Sequence, residues 1–157
     1  MTATVGEAGA ATPGVSVVGQ AELDIHDPDS VFRYAVRARG DGRTGDGVLW
    51  ISHHHGAQFS WLVAAVTCVR GTGSTAAVTA KVIDSRDMPI AAPGVPIAFT
   101  VRDNGTKDRI SVTFGQSVHR CDTATGDEAE ISRGDFQVRR DRRCDADTPG
   151  HRPAFRR

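Results

Sequence analysis

The chain is predicted to be all-β from three observations. Short runs of alternating apolar and polar residues recur along it, Gly-rich turns separate them, and helical periodicity is almost absent. An antiparallel, up-and-down, lipocalin-like barrel of about eight strands, or a closely related β-sandwich, fits this pattern, because closure removes exposed strand edges. A barrel of that size has room for packed side chains or for one small ligand.

Residues 1–13 are small and polar without periodicity and read as a flexible arm. Residues 14–140 form the single β-barrel domain, and residues 141–157 a basic, disordered tail. The first strand is VSVVGQAELDI, with Gly19 as a candidate bulge, and DPDS turns the chain. VFRYAVRAR then places Phe32, Tyr34, Val36 and Ala38 on one face and Arg33, Arg37 and Arg39 on the other, so it is half-buried.

The turn GDGRTGDG leads into the hairpin VLWISHHHGAQFSWLVAAVTCV, residues 48–69. With His55 and Gly56 at the centre of a two-residue loop, Ser52 faces Phe59, Trp50 faces Trp61 and Val48 faces Val63. A Trp–Trp cross-strand pair is a strong sheet contact. The second arm is apolar on both faces, with Phe59, Trp61, Val63 and Ala65 on one and Leu62, Ala64, Val66 and Cys68 on the other. Both faces therefore need cover, from a tail or from a second copy in a homodimer.

TAAVTAKVID continues with Val78, Ala80 and Val82 aligned, and SRDMPIAAPG is a loop long enough to move. VPIAFTVRD aligns Val95, Ile97, Phe99 and Val101, and RISVTFG aligns Ile110, Val112 and Phe114. HRCDTATGDEAE is a polar connection, and EISRGDFQVR a last short strand with Phe136 and Val138 inward.

Lys and Arg number 19, as do Asp and Glu, so no general positive field exists for nucleic acid or an anionic membrane. The basic surplus of the tail reads as a solvated end. No stretch is apolar enough to span a membrane, and the N-terminus lacks a signal-peptide pattern. A cytoplasmic location is expected, a secreted form trimmed of its leader being the alternative. Cys68, Cys121 and Cys144 have no CxxC spacing. A Cys68–Cys121 bridge is geometrically conceivable, but in a cytosolic chain three free thiols are the expectation.

The pieces FRYAVRARGDG, ISHHHG, AVTCVRGTGSTAAV, FTVRDNGTKDRISV and GDFQVR together resemble a group of small actinobacterial β domains. The resemblance runs in order over most of residues 15–139. It implies a β-barrel-like module, often secreted and sometimes appended to larger proteins, and it brings no activity. His53 and His54 depart from the single His of that pattern.

Three places can carry chemistry. At the hairpin tip His53 and His55 share one face and His54 the other; i, i+2 spacing supplies only two ligands, so no metal is assigned. Asp103, Asn104, Gly105 and Asp108 read as a turn rather than a calcium loop, with Asp108 and Arg109 a solvent-side pair. The third place is the lumen, where Phe32, Trp50, Phe59, Trp61, Phe99 and Phe114 are the candidate substrate-binding residues and His53 and Tyr34 the candidate catalytic ones. The common catalytic signatures are absent and no cofactor is expected. The expected function is a barrel that binds a small apolar molecule and, if an enzyme, orients it for cyclisation or isomerisation. A non-catalytic structural or interaction module is the alternative.

Overall fold

Alternation along nearly every strand builds one curled antiparallel sheet. A computed structural model describes residues 14–141; the arm, nearly all of the tail and Cys144 lie outside the described residues. The strands are β1 (Val15–Asp24), β2 (Ser30–Gly40), β3 (Gly45–His55), β4 (Gln58–Thr72), β5 (Thr75–Arg86), β6 (Pro96–Arg102), β7 (Arg109–Phe114), β8 (Ala129–Glu130) and β9 (Arg133–Arg140). They pair in the order β8-β7-β6-β5-β4-β3-β2-β1-β9, a meander from which only β9 departs by returning to β1. The fold is barrel-like, as the alternation predicts. The expected final strand is divided into the two-residue β8 and the longer β9.

The inner face carries the core. Val17, Leu49, Leu62, Val69, Val78, Ile97, Phe99, Val101 and Phe136 are fully buried and belong to one cluster. Gly19 breaks neither of its ladders, so it is not a bulge. It sits opposite Phe136, and a Cβ there would collide with the Asp135 main chain and the Phe136 ring. The glycine makes room for the aromatic side chain that fills this end of the core.

The central hairpin differs in register from the expectation. His55 pairs with Gln58 and Trp50 with Val63, while Trp61 lies opposite Ser52. Gly56 and Ala57, not His55 and Gly56, make the loop, with Gly56 at φ 57°. Displacing the turn by one residue keeps the faces and moves every partner, so the two Trp become diagonal neighbours.

A β-bulge explains the doubly apolar strand. The β4–β5 register shifts between Val66 and Cys68, so Cys68 pairs with Thr79 and turns outward while Val69 returns inward opposite Val78. Residues 115–128 cross over this outer region. Cys121 forms a disulfide with Cys68, its N–H donates to Thr79 Oγ1 at 3.0 Å, and the Ala124 N–H donates to Thr100 Oγ1 at 2.9 Å. Cys68, Ala77, Ala98 and Val118 are buried yet stand outside the main core. The expectation of three free thiols is overturned, because the crossing chain brings Cys121 onto Cys68. The loop before β6 is likewise pinned, by the Val82 N–H to the Val95 carbonyl and the Gly94 N–H to the Val82 carbonyl.

Closure between β9 and the β6–β7 turn uses side chains in place of a ladder. The Phe136 N–H donates to Asp108 Oδ2 at 2.6 Å and the Val138 N–H to Asp103 Oδ2 at 3.2 Å. The second oxygens take the Asn104 N–H at 3.0 Å and the Gly105 N–H at 3.2 Å. Asp108 is 1% exposed, so it is not the solvent-side partner of Arg109; Arg109 pairs with Glu128 at 3.4 Å instead. Phe136 meets Phe99 edge-on, with centroids 5.9 Å apart, beneath this clasp.

Two outcomes are expected. Asp108→Ala strands the Phe136 N–H and removes two charge-assisted bonds, lowering unfolding stability by about 3 kcal/mol in urea melts. A loss under about 0.5 kcal/mol, the range of ordinary surface changes, would contradict the clasp. For the disulfide, the 53-residue separation gives an upper loss of about 4 kcal/mol on reduction. Denatured, unreduced protein should then show one reactive thiol per chain rather than three.

Candidate functional site

The candidate residues divide between the two faces of the sheet. Phe32, Tyr34, His53, Phe99 and Phe114 belong to the inner side, whereas Trp50, Phe59 and Trp61 lie on the outer side with Ser52 and Val63. Inside, the rings form a continuous series. His53 stacks on Phe32 at 4.0 Å, Phe32 on Tyr34 at 6.3 Å, and Tyr34 on Phe99 at 5.8 Å. Burial pushes the Tyr34 phenol up to about 12, so it stays protonated near neutrality. Phe114 packs partly buried at the margin of the same core.

The inner series ends at the hairpin mouth. Ser30, nearly fully buried, shares a 2.7 Å hydrogen bond with His53 Nε2. His55 Nδ1 lies 3.6 Å from Asp27 Oδ2, and the His53 and His55 rings are 6.1 Å apart. His54 turns to the other face and rests on Phe59 at 4.4 Å, as alternation predicts. Among the described residues no group of three or more His, Cys, Asp or Glu is arranged to hold a metal ion. Desolvation lowers the His53 pKa below the ordinary imidazole value, and the neighbouring His55 and His54 lower it further. The neutral ring is thereby favoured.

The outer face holds a groove of about 620 Å³ across β9, β1, β2, β3 and β4. Its origin is a difference in side-chain size. Ala35 and Ser52 form low ground, while Trp50, Phe59, Arg33 and Glu22 stand around it. Ala21 and Tyr34, whose side chains point into the core, border it along their main chain. Ladder pairing sets Arg133 beside Glu22, Glu22 beside Arg33, and Arg33 beside Ser52. Arg33 Nε bonds Glu22 Oε1 at 2.9 Å. Trp50 is 49% exposed and Phe59 42%, and Val18 and Val48 are also open to solvent. Trp61 is half-buried beside the groove and does not line it.

Of the expected site residues, the groove gathers Trp50 and Phe59 and borders the Tyr34 main chain. It adds Gln20, Glu22, Arg33, Ser52, His54 and Arg133. Arg33 was legible as an outward residue of an alternating strand. Arg133 had no such signal, because its place depends on β9 returning to β1.

No family model, curated protein or solved structure matches the chain. Among the described residues no helix is long and apolar enough to cross a membrane.

The His53 environment has a pH signature. In the window just below the ordinary imidazole value the unfolded chain binds more protons here than the folded one. The His53 contribution to stability is thus complete above that value and is lost as pH falls through the folded-state pKa. An NMR titration should place the His53 midpoint below that of free histidine, and Phe32→Ala should bring it back up. A midpoint at or above free histidine would refute the desolvated setting.

Proposed function

We propose that the protein is a small-molecule-binding module whose site is the outer groove beside Trp50. The observation that carries this reading is the pair of half-exposed rings, Trp50 and Phe59, lining a groove of about 620 Å³. Large aromatic surface left open around a concavity is characteristic of binding sites. His53 and Tyr34 have their side chains on the opposite face, in the inner series with Phe32 and Phe99. That separation supports binding without chemistry over a cyclase or isomerase, which would need these groups around one substrate.

The Cys68–Cys121 disulfide supports a second element of the reading, an oxidising compartment as the place of work. A module exported to such a compartment has its outer loop held by a covalent link while its groove stays open.

Because the chain has two tryptophans, Trp61→Phe leaves Trp50 as the sole reporter. In that background N-phenylnaphthylamine, a neutral aromatic probe, is expected to quench Trp50 emission saturably. Trp50→Ala should weaken probe binding by about tenfold, equivalent to about 1.4 kcal/mol. An unquenched Trp50, with probe fluorescence equal in the Ala variant, would remove the groove from consideration.

A further inference from the structure

The lining of the groove is mixed in a way that indicates its occupant. Resting on the binding-module reading above, we infer that the groove takes a glycan, a chain of pyranose rings laid across Trp50 and Phe59. A pyranose presents two chemistries at once: ring faces of C–H bonds and a rim of hydroxyls. Aromatic faces are electron-rich and attract polarised C–H groups lying over them. Trp50 and Phe59 offer such faces with about half of each side chain already open.

The rim requires donors and acceptors together, and the groove supplies both. Gln20 can donate and accept, Glu22 accepts, and Arg33 and Arg133 donate. Arg33 spends its Nε–H on Glu22 and keeps its four other N–H donors, while the carboxylate keeps further lone pairs. This guanidinium–carboxylate pair sets donors and an acceptor side by side, on which a vicinal diol can close two hydrogen bonds. The side chains of Arg33 and Glu22 are 57% and 31% exposed, so hydroxyls replace water on them without uncovering a buried charge.

Other ligand classes use only part of this lining. An alkyl chain would strip water from Glu22, Arg33 and Arg133 and return no hydrogen bonds. A small anion would leave both rings idle. Nucleic-acid bases also stack on aromatic side chains, but their phosphates need a positive field. Glu22 stands in the groove between Arg33 and Arg133, and the formal net charge of the chain is +0. The groove also crosses five neighbouring strands, about 19 Å at the usual strand spacing, which exceeds one sugar ring.

The test uses the full oxidised chain carrying Trp61→Phe and four probes: cellohexaose, mannohexaose, chitohexaose and hexagalacturonate. At least one is expected to shift Trp50 emission saturably with a Kd below about 1 mM, and more tightly than its monosaccharide. Arg33→Met and Glu22→Gln, both surface changes, should weaken that saccharide at least tenfold while the thermal unfolding curve stays that of the parent chain. If the neutral probe binds and no hexasaccharide does, the glycan assignment fails while the binding module stands. If neither binds, both fail. Tighter binding of oligodeoxythymidylate than of any saccharide, or a dimer dissociated by Trp50→Ala, would equally overturn the glycan assignment.

Discussion

Strand β9 pairs with β1 on one side and, among the described residues, has no backbone partner on the other, where the β6–β7 turn meets it. Two carboxylates take the place of the missing ladder. Asp103 and Asp108 each accept one N–H from β9 and one from their own turn, so four main-chain donors are satisfied by two side chains. A buried main-chain donor without a partner is costly, and this arrangement removes the cost where a curled sheet would otherwise remain open. Phe136 can then enter the interior and meet Phe99, and the aromatic series back to His53 is packed rather than hollow. Among the described residues, the groove beside Trp50 lies on the opposite, outer face.

The outer face is treated in two ways. Over β4 to β7 it is covered by residues 115–128, held through Cys121 and through hydroxyls of Thr79, Thr100 and Thr113. Across β9 to β4 it stays open, and there the large rings and charged side chains surround small residues. The bulge at Thr67 separates these regimes within one strand, since it turns Cys68 outward toward the loop. The cover therefore follows from the register shift at Thr67 and the crossing chain that meets Cys68 there. Each half of the apolar strand β4 has a separate physical account.

Much of the inner face was legible in the sequence. Phe32, Tyr34, Val36 and Ala38, then Ile97, Phe99 and Val101, then Ile110 and Val112 share a side by strict alternation, and the structure gathers them in or against one core, Phe32 and Val112 partly buried. Parity survives small errors in turn placement, which is why Trp50 and Trp61 keep a common face although their pairing shifts. The site was less legible. Alternation puts Trp50 and Phe59 on the face opposite Phe32 and Phe99 only once the β2–β3 register is known, because parity within a strand says nothing of parity between strands.

By itself, then, the sequence determined the strands, their alternation and the residues that fill the core, since a period of two is a local property of the chain. The tertiary structure decided what depends on distant segments meeting. Those meetings are Asp108 at Phe136, Cys121 at Cys68, and Arg133 beside Glu22 and Arg33. Each joins positions whose separation along the chain carries no periodic signal, and each required the sheet to curl before the partners could be read.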